Sequence, residues 1–475
     1  MFTRKTTRVW IGLLLLSCMF LMGQEPYWPA ADPCAFVQCG ENETCVQGTC
    51  VPCIYISGTV EENGTGVKGA KVSANGDSGF EGVAYTASDG TYSVCVTTPG
   101  EYTVTVFQWG YTFVDDVQQV TVPPLQQEVT GVDFEAISIP LPSLGQKYQD
   151  HFPIGFLIQS QDVANAPQVI TQHSSMVTVQ LYFRNIHPEE NTYNFTTPDA
   201  LIDFAYNNGI QIRGHSLIGG DNPINYADWL WVDENENGNE VTREVLIQRM
   251  RDHIHTVVGR YQGKVACWDV VNEATSDLTA FYNPTDRWRE IIGIEYVDLA
   301  FQFAHEADPD ALLFYNEYNI DWNPFKRLNA YNFVQGLLER NVPIHGIGLQ
   351  GRWLNGVTSV GQLLYTIDLF SALGLQVQIT ELDMSVYPGI GFLYPGWVAP
   401  IETFTEEMAH AQAETYDRLF EGYRSRSDSI TGIIFWGIRD EDSWLRYYFA
   451  DRLDWPLLFE GGYQPKYAFW AVADF

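Results

Sequence analysis

The stretch Val265-Ala266-Cys267-Trp268-Asp269-Val270-Val271-Asn272-Glu273-Ala274 carries a short buried-strand signal that stops abruptly on the polar pair Asn272-Glu273. A carboxylate placed where a buried strand ends is suited to be one half of a catalytic pair. A second β-rich run, Leu375 to Asp383, also ends on a glutamate, Glu381. Two strand-end glutamates can face one bond. Retaining glycosidases use such a pair about 5–5.5 Å apart, one as acid/base and one as nucleophile. The other reading makes both glutamates members of structural ion pairs, and neither run alone separates the two.

Outward from these runs, apolar strand-like segments alternate with helical ones, the βαβ pattern of a parallel barrel. Strands are expected near 154–158, 176–181, 210–214, 265–271, 312–316, 346–350, 376–380 and 432–436. Eight is the number that closes, so the fold class is α/β with a (β/α)8 TIM barrel over residues 150–475. Its chemistry belongs at the C-terminal ends of the strands, where the polar residue of each run falls.

The segments WDVVNEA and ITELDMSV resemble the acid/base and nucleophile motifs of glycoside hydrolase family 10, the endo-β-1,4-xylanase family. The resemblance covers nearly all of 150–475 and implies Glu273 as acid/base and Glu381 as nucleophile. It further implies that His215, in Arg213-Gly214-His215-Ser216-Leu217, contacts the sugar beside the cleaved bond and that Asn272 binds its 2-hydroxyl. Gln350 would support the nucleophile's surroundings, and Trp436 and Trp444 in FWGIRDEDSW would form the floor and wall of a cleft. Tyr315-Asn316-Glu317-Tyr318-Asn319 is close to the family's YNDYN.

The departures concern sugar selection. The family's TAENxMK becomes Thr178-Val179-Gln180-Leu181-Tyr182-Phe183-Arg184, and Gly219-Gly220 replace a tryptophan and a histidine on the glycone side. Arg352 and Arg439 stand where the family has histidine and threonine. Two readings stay open for Arg184, Arg352 and Arg439. Their planar forks could receive a bulkier or anionic sugar, or they could pair with cleft acids such as Asp440, Glu441 or Asp442. A third reading, a surface polysaccharide-binding protein without turnover, has no need of a carboxylate pair. Catalysis of the expected kind requires no cofactor. One metal pattern is present: Asp233, Asn235, Asn237 and Glu244 meet the D-x-N-x-N-G-x5-E spacing of a calcium loop. Position eight is Glu240 rather than an apolar residue, so the segment reads equally as a solvated acidic loop. Any calcium there would be structural.

The chain has 475 residues, room for a barrel of about 250 residues or more and accessory modules. A net charge of -33 excludes nucleic acid as a partner; a polysaccharide substrate and a monomer are expected. Arg4, Lys5 and Arg8 precede an apolar run and Leu15-Leu16-Ser17-Cys18, an export signal resembling a bacterial lipobox over 1–18. The protein is thus expected at the outer membrane or cell surface, held by lipid on Cys18, or secreted. After a linker, 19–33, five cysteines crowd 34–53 and with Cys95 make six. In an oxidising compartment these read as disulfides, and no histidine lies near to favour zinc. Among fifteen pairings we take Cys34–Cys45, Cys39–Cys50 and Cys53–Cys95, leaving Cys267 a buried thiol. The segment 34–53 resembles small EGF-like knots. Over 54–137, alternating runs such as ISGTV, ASDGTYSVCV and GEYTVTVFQWGYTF indicate a small β-sandwich resembling carboxypeptidase-regulatory modules. Tyr85, Tyr102, Trp109 and Tyr111 read there as sugar-binding or as core. Pro140, Pro142 and Gly145 mark a linker, 138–149.

Overall fold

A computed structural model describes residues 34, 37–40, 42–77, 79–219, 226–233, 239–277, 286–354, 359–387, 399–448 and 452–475. The chain divides into two compact units, Met1–Ile139 and Pro140–Phe475. The export signal with Cys18, the linker 19–33, Gly220, Asn235 and Asn237 lie outside the described residues.

In the first unit, the hairpin Glu43–Val46 with Thr49–Pro52 places Cys45 opposite Cys50. None of its residues is buried, so covalent links take the place of a core: Cys34–Cys45 and Cys39–Cys50 are formed, and Cys53–Cys95 ties the knot to the strands that follow. Those strands form two sheets. One has the order Val117–Val122, Gly100–Phe107, Lys71–Gly76, Gly79–Tyr85; the other is built around Ile54–Glu62. Period-two alternation sends Tyr102, Val104 and Val106 of one sheet and Ile56, Val94 and Phe134 of the other into a shared core. Tyr102 and Trp109 are buried and Tyr111 packs against that core, which favours the structural reading of these aromatics over a sugar platform.

The second unit is built on eight strands: β1 Ile154–Leu157, β2 Met176–Gln180, β3 Gln211–Gly219, β4 Cys267–Asn272, β5 Leu312–Glu317, β6 Gly346–Leu349, β7 Gln376–Ser385 and β8 Ile430–Phe435. Each pairs in parallel with the next, and β8 returns to β1 with Ile433 opposite Ile154. The barrel is therefore closed, as the run of eight apolar segments implies. Helices follow the strands around the outside. Tyr296–Ala307 buries Val297, Ala300, Phe301 and Ala304 at helical spacing. Pro324–Glu339 starts with proline at its first position and an Asn323 cap that accepts from the Phe325 and Lys326 amides. No described helix is long and apolar enough to cross a membrane.

Two boundaries differ from expectation. Strands β3 and β7 continue past 214 and 380, through His215-Ser216 and Glu381-Asp383, and each of these residues is buried. The expected linker 138–149 instead contains the helix Leu144–Lys147, with Leu144 and Tyr148 fully buried and the Tyr148 hydroxyl donating to the Val472 carbonyl at 2.6 Å. Proline and glycine disguised it, because partners such as Phe420, Phe475 and the Val472 carbonyl come from the far end of the chain.

Candidate active site

The strand ends bring the two glutamates to one place. Glu273 follows β4 directly, in a left-handed conformation with φ 58°, which few residues other than glycine adopt. Its N–H donates to the Asn316 carbonyl at 2.9 Å, which holds this turn against the end of β5. Gln350, just past β6, donates from Nε2 to Glu273 Oε1 at 2.7 Å, and its carbonyl accepts the Glu381 N–H at 2.9 Å. One residue thus holds the side chain of one glutamate and the backbone of the other. Gln350 was expected beside the nucleophile; its side chain lies on the acid/base candidate and only its backbone on Glu381.

Around Glu381 the neighbours are ordered by type. Asn316 Nδ2 donates to Glu381 Oε1 at 2.8 Å and to Asn272 Oδ1 at 2.9 Å, while Thr380 Oγ1 donates to Asn316 Oδ1 at 2.6 Å. His215 Nε2 stands 3.9 Å from Glu381 Oε1, and its Nδ1 bonds Asp269 Oδ2 at 2.7 Å. Asp269 is in turn held by the fully buried Arg213, at 2.8 Å from NH1, whose Nε reaches across the barrel from β3 to Gln378 Oε1 on β7 at 2.6 Å. Burial resists a charge on His215, but Asp269 and Glu381 raise its pKa above the ordinary histidine value. Burial likewise raises the Glu381 carboxyl; Arg352 and His215 pull it down and Glu273 pushes it up. That mutual influence is what two carboxyls sharing one site produce.

Arg352 lies on the nucleophile candidate itself. Its NH2 bonds Glu381 Oε2 and its NH1 bonds Asp383 Oδ2, and Trp444 Nε1 donates to the same Asp383 oxygen at 2.8 Å. The guanidinium lies 5.0 Å from the Trp436 ring and 4.9 Å from that of Trp444, and Trp436 meets the His215 ring edge-on at 5.1 Å. Both tryptophans therefore border the surroundings of Glu381.

The other two arginines are engaged elsewhere. Arg439 donates from Nε to Asp442 Oδ2 at 2.8 Å, the acid-pairing alternative. Arg184 donates to the Tyr226 carbonyl at 2.9 Å, lies 3.7 Å from Asp228, and borders a cavity of about 540 Å³ with Glu189, Glu190 and Trp229. Three carboxylates beside it leave little positive potential for an anionic sugar. Of the expected calcium ligands, Asp233 lies in the short strand Val232–Asp233 and Glu244 in the exposed first turn of the helix Arg243–Arg260. Among the described residues no group of three or more His, Cys, Asp or Glu could hold a metal ion.

Several members of the site were not assigned from sequence: Asn316, Arg213, Asp269 and Tyr182, whose hydroxyl accepts from Gln180 Nε2 at 2.8 Å and whose ring meets His215 at 5.8 Å. A signal existed for two of them. Arg213 and Asp269 each interrupt an apolar strand run with a charge, and opposite charges inside one barrel must pair.

The Glycosyl hydrolase family 10 model matches residues 143–475. The chain is 36% identical over 339 residues to endo-1,4-beta-xylanase B of Paenibacillus barcinonensis, covering 71% of this chain and 99% of that protein. It is 37% identical over 344 residues to a beta-1,4-xylanase of Dictyoglomus thermophilum, covering 72% and 93%. In three dimensions it is similar to the crystal structure of xylanase XynB from Paenibacillus barcinonensis complexed with a conduramine derivative, with a TM-score of 0.66, 36% identity, and coverage of 70% of this chain and 99% of that one.

Proposed function

The chain belongs to glycosyl hydrolase family 10, and from that premise we propose that it cleaves internal β-1,4 bonds of a xylan-like polysaccharide with retention, through a more open glycone end than its relatives have. The observation that carries the reading is Gln350, whose side chain holds Glu273 and whose carbonyl holds Glu381 at the mouth of one closed barrel. Glu381 attacks the anomeric carbon while Glu273 gives its proton to the departing glycosidic oxygen. Water then attacks the same carbon, losing a proton to Glu273, and Glu381 leaves. The Asn272–Asn316 bond at 2.9 Å presents the Asn272 amide beside the nucleophile, in reach of a sugar hydroxyl.

The open glycone end rests on glycine at 219, where the family has tryptophan; among the described residues an added Cβ there would make ordinary contacts with the Tyr226 hydroxyl at 3.6 Å and the Asn272 carbonyl oxygen at 4.0 Å. An anionic polymer draws no support from the arginines, each of which already has acceptors of its own. Three disulfides support action in an oxidising compartment outside the cytoplasm, with Cys18 as lipid anchor and a monomer as the working form. Turnover on plain xylan, uronic-substituted xylan and sulfated galactan tests the substrate, and plain or lightly substituted xylan is expected to lead. Glu381→Ala is expected to abolish turnover and keep oligosaccharide binding. A variant that still hydrolyses would end the assignment of Glu381.

A further inference from the structure

Arg352 has too many fixed partners to act as a receptor for substrate. It opens the short strand Arg352–Leu354, which pairs with the end of β7 so that Arg352 stands opposite Asp383. Its side chain is 12% exposed and lies against Trp436 and Trp444. One arm of the fork bonds Glu381 and the other Asp383. Swinging it toward a sugar would break two charge-assisted bonds, taking the cation from buried Asp383 and leaving Glu381 the more distant His215 at 3.9 Å.

We infer that Arg352 is a positioning residue that fixes which oxygen of Glu381 attacks and that stabilises the carboxylate when it leaves. The inference rests on the retaining mechanism proposed above. Arg352 occupies Oε2, whereas Oε1 meets the neutral Asn316 amide at 2.8 Å and keeps a lone pair for the sugar. In the first half-reaction the Oε1–C1 bond forms as the glycosidic C1–O bond breaks, and the Glu273 proton goes to the departing oxygen. Oε2 is then the ester carbonyl, still under the guanidinium. In the second half, water oxygen bonds C1, its proton goes to Glu273, and the Oε1–C1 pair of electrons returns to the carboxylate, whose charge is shared with Oε2. Arg352 favours that return. It opposes the first half, in which the same charge is lost. Deglycosylation therefore depends on it more than glycosylation does.

The charges that face Glu381 come from several strands. Arg352, His215 and Arg213 are cationic or protonatable, and Glu273, Asp269 and Asp383 are acidic. Tyr182 faces it from beyond β2. Among the described residues Arg352 is the cation hydrogen-bonded to a Glu381 oxygen, so its removal has a defined sign: Glu381 becomes harder to ionise.

The full chain is assayed with 2,4-dinitrophenyl β-xylobioside as wild type, as Arg352→Met with Asp383→Asn so that no buried carboxylate is left unpaired, and as Arg352→Lys. In the double variant the acid limb of kcat/KM is expected to rise by about one pH unit or more. Its kcat and KM should fall together, with a burst of phenol as the glycosyl-enzyme accumulates. Arg352→Lys, which keeps the charge, is expected to hold the acid limb near wild type. If the double variant does not fold, Arg352→Gln serves, with the same shift expected. An active wild type whose acid limb stays fixed in the uncharged variants, with kcat lowered at constant KM, overturns the inference alone. A wild type that releases no phenol overturns the retaining reading and the inference with it.

Discussion

Asp269 illustrates how much of this site depends on a residue that touches no substrate atom. It is fully buried in β4 between Arg213 and His215; burial disfavours its charge, but Arg213 and His215 hold its carboxyl below the ordinary range. Arg213 is itself fully buried, so Asp269→Asn would leave a guanidinium without its counter-charge. A loss of about 3–5 kcal/mol in urea unfolding is expected. The pH dependence has a definite sign. The folded pKa of His215 is raised, so its pairing contributes in full below about pH 6.5 and is lost as pH rises through the folded value. The difference between wild type and Asp269→Asn should therefore be larger at pH 6 than at pH 9; equal differences would show that His215 does not draw its proton from this pair.

Between elements, the site depends on close approach of strand to strand. At Gly348, in the middle of β6, an added Cβ would come 2.1 Å from Asn316 Oδ1 and 2.8 Å from a Thr380 methyl. Absence of a side chain there lets β5 and β7 hold the Asn316 amide between Asn272 and Glu381. Gly348→Ala must push Asn316 aside, and kcat/KM is expected to fall about tenfold or more, on the scale of losing one fixed hydrogen-bond donor near the reacting centre. Far-ultraviolet circular dichroism should stay at the wild-type level; wild-type kinetics would show that Asn316 is not needed in this position. The end of β5 is held from outside by the helix Pro324–Glu339, whose first turn delivers the buried Lys326 to Glu317 at 2.9 Å and Asp277 at 3.0 Å. Glu317, where the family motif has aspartate, also accepts from the Thr275 hydroxyl at 2.7 Å, just beyond the acid/base candidate.

At the scale of the molecule, each unit has a core of its own, and among the described residues the three disulfides lie in the first. The barrel's one cysteine, Cys267, is buried, and burial pushes its thiol up to about 11, where little thiolate exists to react. A chain beginning at Pro140 is therefore expected to fold and to match the full protein's kcat/KM on soluble xylan within about twofold, a difference too small to signify a lost contact. Reducing agent should leave that activity unchanged. A truncated chain that folds but is inactive would assign the first unit a part in catalysis.

What the sequence by itself determined was everything carried by local periodicity and short motifs. The eight apolar runs, the glutamates that end two of them, and the cysteine spacing of the knot each depend on residues close together in the chain, or on a pattern that only one closed parallel barrel satisfies. Tertiary structure alone decided where the long charged side chains go. Nothing in the order of residues says that the guanidinium of Arg352 takes Glu381 and Asp383 instead of a sugar, or that Gln350 reaches Glu273; nor does it reveal that Leu144 and Tyr148 pack in the barrel unit, where the Tyr148 hydroxyl meets the carbonyl of Val472. The physical reason is that an arginine or glutamine can satisfy its donors with any acceptor within several ångströms. Which acceptors those are depends on how the strand ends converge when the barrel closes.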